Sequence, residues 1–208
     1  CVFVVLTPVC SPWASMRFVP STTGAPVPPV LFDLQNKSGK PDAELEERVQ
    51  QANREVDLVD EIARTGHSHG AGIFVEHPDS KATGQPNAIK GAENHATLFD
   101  HPKMTNMAKD LDLSLVHWHG CAAGAQSRKP HQALVDRGSL PAFQITLGVR
   151  RCNHPLGHPK PLRGMQAGAE GAAELTDSER LPAETNGLIA NAVLSDLARR
   201  ATQGSTPT

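Results

Sequence analysis

The chain has 208 residues, 38% of them hydrophobic and 20% charged, which suits one domain with a buried core. Its formal net charge of -2 excludes the bulk basic field that grips nucleic acid, so any contact with DNA needs a local patch. Four cysteines without framework spacing (Cys1, Cys10, Cys121, Cys152) exclude a disulfide scaffold and predict a reducing, intracellular setting, nuclear or cytoplasmic.

In chain order, "VFVVL" (2–6) is a continuous β-branched and aromatic run that predicts a buried strand. It falls far short of the ~20 apolar residues of a membrane span, and no other stretch comes closer. The first residue is Cys and the chain opens directly inside this run, which predicts a fragment working with the remainder of a parent polypeptide. Residues 19–41, dense in Pro, Gly, Ser and Thr, predict a long loop. Residues 42–65 carry Leu45, Val49, Ala52, Val56, Val59 and Ala63 in steps of four and three, the apolar stripe of a packed helix. Asp42 is placed to cap its start and Gly66 to end it.

"GIFVEH" (72–77) predicts a second strand, closing on Glu76. Residues 100–112 predict a short helix with Pro102 in its first turn and Met104, Met107, Ala108 and Leu111 on one face. "SLVHWHG" (114–120), "HQALV" (131–135) and "FQITL" (143–147) predict three further strands. Residues 184–200 predict a last helix, with Thr185 as its cap and Leu188, Ile189, Ala192, Val193 and Leu197 on its apolar face. Residues 201–208 predict a frayed tail.

Strand, helix, strand, helix, strand is a βαβαβ pattern, and it predicts an α/β fold with a mostly parallel sheet and helices on both faces. Ligands in such sheets bind at the carboxyl ends of the strands. Cys10 follows the first strand and Glu76 closes the second, so both are expected to face one crevice. A thiolate at a strand end, helped by a cation such as Arg17, attacks electrophiles. A partly desolvated carboxylate such as Glu76 donates a proton more readily.

Pro8-Val9-Cys10 after a strand, then Glu76-His77-Pro78 ending a later strand, resemble the Pro-Pro-Cys and Glu-Asn-Val segments of the DNA cytosine-5 methyltransferases. "GAQSRKP" (124–130) is similar to that family's Gln-x-Arg-x-Arg segment, with Gln126 and Arg128 in place, and "ELTDSERL" (174–181) to its Leu-Thr-x-x-Glu segment. "LIANAV" (188–193) is similar to its Gly-Asn-Ala-Val, through Asn191, Ala192 and Val193. Methyltransferase-like segments of protist retroelement-type polyproteins resemble the chain further in "CSPW", "EHP", "HPKM", "RKP" and "RCNHPLGH".

The resemblance implies a Rossmann-like domain that transfers a methyl group from S-adenosylmethionine to C5 of cytosine in DNA. It implies Cys10, Glu76 and Arg128 as catalytic residues, Gln126 and Arg17 as substrate contacts, and Pro8, Asn191 and Val193 as cofactor contacts. Val9, His77 and Pro130 depart from the family's motifs. The Gly-rich loop that holds the methyl donor belongs to earlier strands of the family. The resemblance therefore implies an incomplete domain over residues 1–200, with or without surviving activity.

A second constellation is metal-like. His117, His119 and Cys121 alternate along one strand, and "RCNHPLGH" (151–158) offers Cys152, His154 and His158. Zinc takes four such ligands, so Cys152, His154 and His158 completed by Cys121 or a histidine predict a zinc site. The same stretch equally suits a phosphate-contacting loop built on Arg150, Arg151, Lys160 and Arg163. The function opposed to methyl transfer is thus a non-catalytic nucleic-acid-binding or structural module of a mobile-element polyprotein, zinc-stapled at these residues.

Overall fold

The computed structural model describes residues 2–8, 43–79, 97–125, 129–153 and 181–203. The predicted loop at 19–41 and the cap at Asp42 lie outside these residues. Strand β1 spans Phe3–Leu6, and helix α1, Ala43–Ser68, leads to strand β2, Gly72–Pro78. A 3₁₀ turn at Leu98–Asp100 enters helix α2, Pro102–Asp110, which is followed by strand β3, Leu113–His119. A second 3₁₀ turn, Gly120–Ala123, precedes strand β4, Pro130–Asp136. Helix α3, Leu140–Phe143, runs on into a π-helical turn at Gln144–Gly148, and helix α4 spans Ala183–Gln203.

The four strands lie in the order β1-β2-β4-β3. β1 is parallel to β2, whereas β4 is antiparallel to both β2 and β3. The sheet is therefore mixed, not mostly parallel as the βαβαβ pattern predicts. The reason is the connection after β3: His119 and Pro130 are joined by only ten residues, fewer than the dozen or more of the crossover that a parallel partner requires.

Helices cover both faces, as expected. On one face Val49, Ala52, Val56, Val59 and Ala63 of α1 and Met104 and Met107 of α2 pack on Ile73, Val75 and Leu134. On the other, Phe143, Leu147, Ile189 and Ala192 pack on Phe74, Val116, Trp118, Ala133 and Val135. The period-2 alternation of β2 and β4 assigns each residue to its layer. Burying these side chains on both faces is the main source of stability.

Four local expectations are corrected. α1 passes through Gly66, where a Cβ would stand 2.6 Å from Val4 Cγ2, and stops at Gly70 instead. Gly70 takes the left-handed conformation (φ 76°), with Ala71 N–H donating to Gly66 O (3.0 Å) and Gly70 N–H to His67 O (2.9 Å), a Schellman closure. "FQITL" is helical rather than a strand. Phe143 and Leu147 are buried while Ile145 between them is 73% exposed, whereas a strand would put all three on one face. Thr185 does not cap α4; it lies inside the helix and donates to Ala123 O at 2.7 Å. α4 also continues through Gln203, three residues into the predicted tail.

Candidate functional site at the carboxyl edge of the sheet

With β4 antiparallel between β2 and β3, one edge of the sheet gathers the carboxyl ends of β1, β2 and β3 and the amino end of β4. Three rungs cross it. Ala133 of β4 pairs with Glu76 on one side and Val116 on the other, Gln132 with His77 and His117, and His131 with Pro78 and Trp118. β1 ends at this edge beside β2, since Leu6 pairs with Val75, and Thr7 and half-buried Pro8 follow. Cys10, two residues beyond Pro8, lies outside the described residues, as do Arg17, Gln126, Arg128, His154 and His158.

Glu76 projects from the same face as Phe74, and only 5% of it is exposed. Its Oε1 accepts the Nδ1–H of buried His131 at 2.7 Å. Trp118, fully buried, stacks on the His131 ring with centroids 5.3 Å apart and planes 10° apart. Burial of a carboxylate is tolerable only with such a partner. His131 is the site residue that the sequence reading missed. Strand pairing alone brings it to Glu76 across 55 positions, and no local motif announces it.

The opposite face of the edge carries His77, His117 and Asp79. His77 is fully buried and donates Nδ1–H to Pro78 O at 3.0 Å, and its Nε2 has no partner among the described residues. Burial pushes its pKa down to about 4, against a smaller opposing pull from the Glu76 charge. His117 Nδ1 lies 3.3 Å from Asp79 Oδ2, both near the surface.

Beyond β3 the chain closes on itself. Arg150 O accepts His119 N–H at 2.9 Å, and Cys152 N–H donates to His119 Nδ1 at 2.7 Å. Gly124 turns the chain in the left-handed region (φ 92°), and a Cβ there would meet Glu184 Cβ at 2.7 Å. The pairing brings the reduced thiols of Cys121 and Cys152 into hydrogen-bond contact. Burial, and then that contact, push the Cys121 thiol up to about 11. Two of the four expected zinc ligands therefore meet. Because its Nδ1 accepts a backbone N–H, neutral His119 carries its proton on Nε2. Among the described residues no group of three or more His, Cys, Asp or Glu side chains is arranged to hold a metal ion.

The three residues that the resemblance assigns to the cofactor are all among the described ones. Pro8 stands at the edge, Asn191 is exposed on α4, and Val193 packs against the core beneath Ile189 and Ala192. Asn191 is six positions past Thr185, the residue that anchors α4 to the edge, or about 9 Å along the helix. No described helix is long and apolar enough to cross a membrane. The chain matches no family model, and comparisons with curated proteins and with solved structures gave no match.

Proposed function

We propose that the chain carries the base-activating part of a cytosine C5 methyltransferase-like centre, with Cys10 as nucleophile and Glu76 as the acid that engages the base. One observation carries the reading: the strand leading to Cys10 ends beside Glu76, whose carboxylate is buried and held in one orientation by His131. The sheet supports it at the level of the fold. A late strand running antiparallel between two parallel ones, as β4 does between β2 and β3, suits the second half of a Rossmann-like methyltransferase sheet.

In this reading the Cys10 thiolate adds to C6 of cytosine. Glu76 hydrogen-bonds or protonates N3, which draws charge from the ring as the new bond forms. C5 thereby becomes nucleophilic. The base must leave the helical stack to reach these groups, and Arg128 and Gln126 are the polar side chains assigned to hold it. S-adenosylmethionine supplies the methyl group in the family reaction.

The test uses the natural polypeptide that contains this chain, a labelled methyl donor and cytosine-containing DNA. Label should appear at cytosine C5. Cys10→Ser should abolish transfer, and Glu76→Gln should lower kcat by about 10²–10⁴-fold. Unlabelled DNA, or full activity in Cys10→Ser, would overturn the reading.

The meeting of Cys121 and Cys152 favours a second reading, a zinc-stapled nucleic-acid-binding or structural module. Purified chain should then bind about one zinc ion, and Cys121→Ser should lose it together with thermal stability. A folded, metal-free protein that takes up no zinc excludes this reading.

A further inference from the structure

We infer that His131 is the positioning residue for Glu76, held in place by Trp118 and by the absence of a side chain at Gly120. The inference rests on the methyl-transfer reading and adds to it a residue outside every motif that suggested it.

The geometry follows from the strand register. Glu76 stands opposite Ala133, and His131 is two residues along β4 on the same face. Such diagonal neighbours lie within reach of long side chains. Ala133 is buried and small, so it leaves the Glu76 side chain room to turn toward His131. The resulting Nδ1–H···Oε1 distance of 2.7 Å is that of a charge-assisted hydrogen bond.

His131 cannot easily swing away. Trp118, directly opposite on β3, covers one ring face at a 10° interplanar angle. At Gly120 a Cβ would come 3.4 Å from His131 Nε2 and 3.1 Å from Lys129 O, so a larger residue would crowd the ring. Oε1 is thus committed to His131, and in the methyl-transfer reading Oε2 is the atom that carries the proton offered to N3 of the base. The carboxylate rotors are fixed before substrate arrives, which is the preorganisation that an acid acting on a flipped base needs.

Two variants separate positioning from mere support of the fold. His131→Phe keeps a ring against Trp118 but removes the donor. His131→Asn supplies an amide N–H where Nδ1–H stood. In the natural polypeptide, His131→Phe should lower kcat about 100-fold while KM for DNA changes less than about two-fold. His131→Asn should recover activity to within about tenfold of the parent. Adding His131→Phe to Glu76→Gln should lower kcat no further, since both act through one carboxylate.

A readout independent of catalysis is the proton NMR spectrum of the 208-residue chain. It should contain a low-field imidazole Nδ1–H resonance that Glu76→Gln removes, with the amide spectrum otherwise kept. A missing resonance, or a folded His131→Phe protein with unchanged kcat, overturns the inference. Absence of methyl transfer in the parent overturns the methyl-transfer reading instead, and with it the catalytic purpose assigned to His131. The resonance then still decides whether His131 holds Glu76.

Discussion

The His77 ring is fully buried, and one nitrogen donates to Pro78 O while the other has no partner among the described residues. Its pKa falls from 6.5 in the unfolded chain to about 4 in the folded one, mainly through burial. Below pH 6.5 the unfolded chain takes up a proton there that the folded chain refuses until about pH 4. The contribution to stability is therefore full above 6.5, is lost as pH drops through that window, and is constant below it. The loss amounts to about 3 kcal/mol. Urea unfolding at about pH 7 and about pH 4.5 should show it, and His77→Gln should flatten the difference. An unchanged pH dependence in His77→Gln would place the titrating group elsewhere. At this scale the sequence was partly legible. Glu76 was readable as a strand-end acid, because a polar residue closing an apolar run is a local signal. His131 was not, because its role depends on which strand β4 lies against.

Among the elements, α4 carries the most specific attachment. It begins at the site edge, with Thr185 bonded to Ala123 O, and ends at the opposite edge on β4 and α3. There Asp196, whose side chain is fully buried, accepts from Arg199 (2.6 Å) and Arg200 (2.6 Å) and lies 2.9 Å from Ser139 Oγ. Arg200 also donates to Asp136, whose other oxygen caps Ile73 N–H at 2.9 Å, tying helix to sheet. Burial raises the Asp196 pKa, but the hydrogen bonds from Arg199, Arg200 and Ser139 outweigh it and hold the carboxyl below its ordinary 3.8. This stabilisation is present above that pH and is lost as pH falls through the lowered value. Asp196→Ala should cost about 3 kcal/mol, read as a lower urea midpoint at neutral pH with an unchanged slope. A midpoint close to that of the parent would show that Arg200 and Asp136 hold the helix without Asp196. The helix itself was legible from its apolar spacing. Its attachment was not, since Asp196, Arg199 and Arg200 look like ordinary surface charges in the sequence. "FQITL" was misread for a related reason: β-branched residues suggested a strand, and only the burial of Phe143 and Leu147 around exposed Ile145 reveals the helical period.

For the molecule as a whole, the apolar patterns identified the α/β class, the two covered faces and the edge where Glu76 stands. Strand direction was beyond them, because an apolar run reads the same either way and pairing depends on connections of no fixed length. The resulting order β1-β2-β4-β3 has a consequence for assembly. β2 and β3 have no backbone pairing with each other; β4, which comes after both in the chain, is what joins β3 to the β1–β2 pair. While the chain emerges from a ribosome, the centre of the sheet stays open until residues 130–136 are available to enter between β2 and β3. Glu76 then meets His131 in the same step that closes the sheet, so the candidate site is completed with the fold and never ahead of it.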